Sequence, residues 1–305
     1  MYDLSRVEFE ISQTAETVEA ENSGDDSDTE VPRFRPRREA FTLQYAKTTS
    51  LADVGLQIWP CSLLLADYLL AYEPRMLGRT TLELGCGVGV VALTAAYVGC
   101  NCYATDFNTA VLDLLRKNVD RNSRLLKGSI WPKHLDWTCG DKAACFSGEQ
   151  ASGSNEATAV DANFLWSGSQ ADDCLATCSC VLVSEASTGL FLISGLYDPR
   201  LDEHLLALID FLAAETALRN EAAAFEVLVA LERRPNFRLD TLSVRDPSYE
   251  AFTRWASNLA AGGWQVSRVD GYRQSFQCYA RTEFMELWRL ARPSAVGSQE
   301  TKREM

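Results

Sequence analysis

The stretch Thr81 to Asp106, TLELGCGVGVVALTAAYVGCNCYATD, constrains this chain most. It reads as strand, glycine turn, helix, strand and terminal acid. A short apolar run, Thr80 to Leu84, leads into glycine at every second position: Gly85, Gly87 and Gly89. Glycine lets backbone come close to a ligand and takes positive φ without steric cost. Val90 to Val98 gives an apolar, alanine-rich helix whose first N–H groups are unpaired and point at the turn. Cys102 to Thr105 is a second short strand, and Asp106 at its end offers a carboxylate to the two hydroxyls of a ribose. An acid on each side of the glycines within one βαβ frame predicts a nucleoside-type site. A plain tight turn of an α/β protein is the alternative.

Spacing narrows the ligand. The dinucleotide fingerprint G-x-G-x-x-G requires a third glycine where this chain has Val90. Glu83, two residues before Gly85, is unfavourable beside a diphosphate and suits a cationic ligand bearing an amino group. The pattern E-x-G-x-G-x-G followed by a later acid resembles the S-adenosylmethionine site of class I methyltransferases. That resemblance implies that Glu83 shapes the loop and approaches the methionine moiety. It also implies that Gly85, Cys86, Gly87 and Gly89 pass close to the cofactor, that Asp106 holds the ribose, and that Phe107 and Ser184 belong to the same site.

Upstream, order is expected to begin near Phe41, with residues 1–40 a disordered acidic tail followed by an Arg/Pro segment. ENSGDDSDTE has no apolar face, and Arg33, Arg35, Arg37 and Arg38 are spaced by prolines. Leu51 to Pro60 leads into a helix with Leu63, Leu64, Ala66, Asp67, Leu69 and Leu70 on its apolar side. Trp59 just before it is a core residue or a wall of the ligand pocket.

Downstream, Thr109 to Asn122 is amphipathic, with Val111, Leu112, Leu115 and Val119 on one side. Lys127 to Trp137 supplies a third strand region ending in Leu135-Asp136-Trp137. An acid–aromatic pair at a strand end suits an adenine: Asp136 accepts from the exocyclic amine and the Trp137 indole covers a ring face. A surface turn anchored by tryptophan is the competing reading. Residues 140–175 read as a surface excursion anchored by Phe164, Leu165 and Trp166. Cys178 to Ser184 is the next strand, with Glu185 at its carboxyl end, where substrates sit in open α/β sheets. Residues 186–195 read as an insertion before Leu196-Tyr197-Asp198-Pro199. Leu201 to Ala217 and Tyr249 to Ala260 read as helices and Glu226 to Leu231 as a buried strand. Trp264 to Val269 with Phe276 to Arg281 reads as a closing hairpin, and 291–305 as a frayed tail.

Composition sets the outer bounds. The chain has 305 residues and a net charge of −13. Residues 1–31 hold ten acids and one base, so the remainder carries only −4. That mild charge argues against a broad nucleic-acid footprint and favours a basic protein partner. No apolar run reaches the ~20 residues of a membrane helix, and MYDLSRVEFE lacks the features of a signal peptide. Ten cysteines without a secretory signal predict reduced thiols. With two histidines and no C-x-x-C pair, no metal is expected.

Strand–helix alternation over residues 41–290 predicts one α/β domain: a Rossmann-like seven-stranded sheet, mostly parallel, with an antiparallel C-terminal hairpin and helices on both faces. The segments VGLQIWPCSLLLADYLL, ELGCGVG and LDW together are similar to the lysine-methylating branch of seven-strand methyltransferases. LERRPNFRLDTLSV and MELWRL narrow the resemblance within that branch. It implies that Trp59 contacts the cofactor and that Asp136 and Trp137 sit at its adenine. It further implies an enzyme of nucleus and cytoplasm that methylates a lysine of a protein substrate; that substrate is expected to be basic and nucleic-acid-associated, and the enzyme a monomer. Family members pass from the strand-end acid to a tyrosine in two or three residues, whereas Glu185 and Tyr197 here are twelve apart. Glu185, Tyr197 and Asp198 are the candidates for orienting the amine. Three rivals stay open: a small-molecule or RNA methyltransferase, a nicotinamide dehydrogenase, and a catalytically impaired interaction protein.

Overall fold

The computed structural model describes residues 2–11, 37–147, 160–184, 199–219, 224–238 and 243–292. Its strands are β1 (Tyr2–Ile11), β2 (Arg37–Ala46), β3 (Thr80–Leu84), β4 (Asn101–Asp106), β5 (Ile130–His134), β6 (Cys178–Ser184), β7 (Phe225–Glu232), β8 (Asn236–Arg238), β9 (Ser243–Arg245), β10 (Gln265–Arg268) and β11 (Met285–Arg292). Its α-helices are α1 (Pro60–Ala71), α2 (Glu73–Met76), α3 (Val90–Tyr97), α4 (Thr109–Asn122), α5 (Gly168–Thr177), α6 (Pro199–Arg219) and α7 (Pro247–Ala261).

Seven strands form one sheet in the order β10-β11-β7-β6-β3-β4-β5. The pairs from β7 through β5 are parallel, and β11 runs antiparallel to both of its neighbours. The two-residue strand period distributes apolar side chains to two layers. Cys180, Leu182, Leu228 and Ala230 join a cluster with α1, α3 and α4 residues such as Leu65, Leu93 and Leu112. Val181, Val183, Val227 and Val229 join the opposite cluster with Leu175 of α5, Leu208 of α6 and Trp255 of α7. Covering both faces makes the central strands apolar throughout. Strand order reverses at β3, which lies between β6 and β4. The crevice at the carboxyl ends of these strands is therefore the topological switch point, where open α/β sheets take ligands.

Three expectations are corrected. First, order does not begin near Phe41. Tyr2–Ile11 pairs antiparallel with Arg37–Ala46 along its whole length. Val7 and Phe9 are buried, Phe9 lies 4.8 Å from the Phe41 ring, and Glu10 ion-pairs with Arg38 and Arg273. Acidic residues mask this strand in composition, yet its buried positions, Val7 and Phe9, are apolar. Residues 12–36 lie outside the described residues. Second, Phe276–Arg281 is not the last hairpin strand. Gln265–Arg268 pairs with Met285–Arg292, and Phe276 makes only an isolated bridge to Phe9. Third, 140–175 is not wholly superficial. Cys145, Phe146, Phe164, Trp166 and Cys174 are buried, and α5 starts on a Ser167/Gln170 capping box.

The hairpin supports the glycine loop. Asn122 of α4 accepts from the Thr42 N–H (2.8 Å) and donates to the Thr42 carbonyl (2.9 Å). Asn118 does the same to Gln44 (2.8 and 3.0 Å) and also donates to the Val88 carbonyl (2.9 Å). Both side chains are buried, so two amides satisfy backbone that would otherwise be an open strand edge.

Candidate cofactor site

The loop between β3 and α3 is held from both sides. The Gly85 and Cys86 N–H groups both donate to the Thr105 carbonyl (2.9 and 2.8 Å), and the Thr105 hydroxyl donates to the Glu83 carbonyl (2.6 Å). Gly85, Gly87 and Gly89 all have positive φ, at 74°, 51° and 94°. At Gly89 space is limiting too: a Cβ there would lie 2.3 Å from Leu115 Cδ1. We expect Gly89→Ala to lower stability by about 2 kcal/mol, from the left-handed backbone and the displaced Leu115. Urea unfolding measures this, and a loss below about 0.5 kcal/mol would contradict it.

Asp106 ends β4 and is buried. Its Oδ2 accepts from the Gly87 N–H (3.3 Å) and its Oδ1 from the Asn108 N–H (3.0 Å). Burial pushes its carboxyl up to about 6, against those backbone donors. Glu83, on β3, is raised well above the usual carboxylate range by burial first and by Asp106 second, with the Ala92 N–H opposing. Its Oε2 is buried without a hydrogen-bond partner. Such an orphaned acceptor beside a loop of bare backbone fits a ligand that brings a donor.

The pocket's other wall is Asp53 to Trp59. Gly87 lies so close to it that a Cβ would be 3.2 Å from the Gly55 carbonyl. Trp59 is half-buried, caps α1 from the outside, and donates its indole N–H to the Val54 carbonyl (3.0 Å). The Arg234 guanidinium lies 5.8 Å from the Trp59 ring, and its backbone N–H donates to Asp246. Arg234 reaches this wall from just beyond β7; nothing in its local sequence signals that.

The remaining candidates divide. Cys86 is buried with its thiol pushed well up by burial, so it is an inert part of the loop. Phe107 is exposed and Ser184 buried at the end of β6. Asp136 uses Oδ1 to hold Thr138 N–H and hydroxyl (2.9 and 2.7 Å). Trp137 is mostly buried, at 8% exposure, and joins the cluster that residues of α5, α6 and α7 also enter. Glu185, Tyr197 and Asp198 lie outside the described residues. No group of metal-ligating side chains is found among the described residues.

Two acids thus flank a glycine loop at the switch point of a Rossmann-like seven-strand sheet. The region holding that site, residues 38–151, matches the lysine methyltransferase family, and S-adenosylmethionine is the cofactor that this site fits. The chain is similar to methyltransferase-like protein 22 of Homo sapiens, 28% identical over 256 residues, covering 81% of this chain and 56% of that protein. It is also similar to protein N-lysine methyltransferase METTL21A of Mus musculus, 31% identical over 108 residues, covering 35% of this chain and 48% of that protein. The chain thus spans about half the length of these relatives. Among solved structures, magnesium protoporphyrin IX methyltransferase from Synechocystis PCC 6803 with bound SAM aligns at TM-score 0.41 and 14% identity, covering 76% of this chain and 80% of that chain.

Proposed function

We propose that this protein is an S-adenosylmethionine-dependent methyltransferase that transfers the methyl group to a lysine side chain of a protein substrate. The observation that carries it is the buried Glu83–Asp106 pair around the glycine loop, inside the stretch that matches a family of lysine methyltransferases. The relative named as an N-lysine methyltransferase supports the same substrate class.

The cofactor, when bound, supplies an electrophilic methyl on a sulfonium sulfur. Asp106 accepts the ribose hydroxyls, and Glu83 secures the loop beneath the methionine end. Asp136 would offer Oδ2 to the adenine amine, with Trp137 beside it. The lysine nitrogen must arrive neutral. A free amine has a pKa near ~10.4, so holding it unprotonated at pH 7 costs about 4–5 kcal/mol. Glu185, Tyr197 and Asp198 are our candidates for orienting that amine in line with the methyl. Held there, the amine would take the methyl group that the bound cofactor would supply, the S–C bonding pair staying with sulfur. Glu185→Ala is expected to reduce turnover about tenfold with cofactor affinity unchanged; an unaltered rate removes Glu185 from the role.

The chain's acidity, net −13, favours a basic substrate by electrostatic steering. All ten cysteines are free thiols, which suits the reducing nucleus or cytoplasm. Among the described residues no helix is long and apolar enough to cross a membrane. Incubation with radiolabelled S-adenosylmethionine and cell extract tests the reading. Label recovered as N-methyl-lysine supports it. Label in RNA or small molecules, or cofactor binding without any transfer, overturns the lysine assignment.

A further inference from the structure

At the opposite end of the sheet, where β3, β6 and β7 begin and β11 ends, lies a cavity of about 720 Å³. It is remote from the carboxyl ends that hold the glycine loop, and no residue of the cofactor site lines it. Its lining includes four arginines, Arg75, Arg79, Arg289 and Arg292, against a single acid, Glu226. In a chain of net charge −13 this is an inverted local balance.

Glu226 is already spent. Arg79 ion-pairs with its Oε1, and Arg289 Nε lies 2.7 Å from its Oε2. Burial alone would push this carboxyl up, yet the two guanidinium groups hold it below its ordinary value. Arg79 is further fixed by donating to the Ser179 hydroxyl (3.0 Å) and carbonyl (2.6 Å). Neither remaining arginine has a carboxylate within 4.0 Å among the described residues. Arg292 donates to the Ala213 carbonyl and stands 5.9 Å from the Phe225 ring, and burial lowers its pKa. Arg75 is exposed on α2, its guanidinium 5.7 Å from the Tyr72 ring. Clustered like charges repel, and several forked donors lining one hollow suit the oxygens of phosphate. The volume falls in the range of about 300–1,000 Å³ that ligand sites occupy.

We propose that this cavity binds a small phosphate-bearing anion with two or more phosphate groups, of nucleotide size, at a site separate from the cofactor. Arg75 and Arg292 supply the uncompensated charge, and Arg79 and Arg289 form a fixed rim braced by Glu226. The assignment is independent of methyl transfer.

Calorimetry of the full chain with pyrophosphate at low salt is the test. We expect one saturable site, weakening as salt rises. The double variant R75Q/R292Q should bind at least about tenfold more weakly while its S-adenosylmethionine titration stays unchanged. Pyrophosphate should bind equally well in the presence of S-adenosylmethionine. Absence of saturable binding, undiminished binding by the variant, or displacement by the cofactor each overturns the proposal. So does inorganic phosphate binding as tightly as pyrophosphate. Should the double variant misfold, R75Q alone changes an exposed side chain; about threefold weakening is then expected, and no change refutes the site.

Discussion

Asp106→Asn is expected to weaken S-adenosylmethionine binding about 100-fold at pH 7.5. A ribose diol donates two hydrogen bonds to a carboxylate, and each charge-assisted bond contributes roughly 1.5–3 kcal/mol. Asparagine keeps one oxygen for the Gly87 or Asn108 N–H groups but presents an NH₂ where the second hydroxyl must donate. The same substitution should act on the empty protein in the opposite sense. Burial raises the Asp106 carboxyl from 3.8 to about 6. A carboxyl raised on folding favours the native state while protonated, and that advantage is lost as pH climbs from the unfolded value through the folded one. Between about pH 4 and pH 6 the ligand-free protein should therefore lose stability, by up to about 3 kcal/mol from this group. Asp106→Asn removes that dependence. The cofactor affinity of the unmodified chain should fall below about pH 6, as the acceptor becomes protonated, and the variant's profile should be flat there. Calorimetric titrations and urea melts from pH 5 to 8 read both. A variant that binds as well as the parent, or a parent whose affinity is level across pH 6, would remove Asp106 from the ribose role.

The parts of this site that were legible in sequence are those whose chemistry is local. Three glycines with a following acid can be read from spacing because positive φ and close backbone approach are properties of single positions. Glu83, Gly87 and Asp106 accordingly stand where the pattern puts them. The seven-strand sheet was legible for a related reason: Val181 to Val183 and Val227 to Val229 are apolar on both faces, as only a covered parallel strand is. What was missed depends on partners distant in the chain. The Tyr2–Ile11 strand carries Asp3, Glu8 and Glu10, so its composition reads as a solvated tail; its order comes from Phe9 meeting Phe41 and Phe276. The burial of Trp137 is likewise not legible locally, since Leu135-Asp136-Trp137 does not reveal that the indole joins a cluster with residues of α5, α6 and α7. Arg234 reaches the Trp59 wall only because the sheet order sets β7 two strands from β3.

The largest stability effect should come from a residue outside the site. Asp67 sits in the apolar run of α1 and is fully buried. Four donors converge on it: the Ser275 N–H (2.7 Å), the Phe276 N–H (2.9 Å), the Tyr279 hydroxyl (2.5 Å) and the Arg281 guanidinium (2.7 Å). One carboxylate thus fixes the segment between β10 and β11 on the α1 face. Removing it strands two buried N–H groups and takes the carboxylate partner of Arg281, which keeps the Tyr279 hydroxyl and the Tyr272 and Arg273 carbonyls. A broken buried pair costs about 3–5 kcal/mol, because the surviving charge keeps its desolvation penalty. We expect Asp67→Ala to lose that much, a large share of the ~5–15 kcal/mol typical of a whole domain. Asp67→Asn retains an acceptor for the two N–H groups but forfeits the charge, so about half the loss is expected. The damage should spread along a defined route. The Ser275 carbonyl accepts from the Glu10 N–H (3.1 Å), and Phe276 bridges Phe9, so β1 rests on the segment that Asp67 holds. Hydrogen exchange at Val7 to Glu10 should accelerate in Asp67→Ala, while the β6–β7 core stays protected. A urea-derived loss below about 1 kcal/mol, or unchanged exchange in β1, would mean that water replaces the carboxylate and that the hairpin is held by its phenylalanines alone.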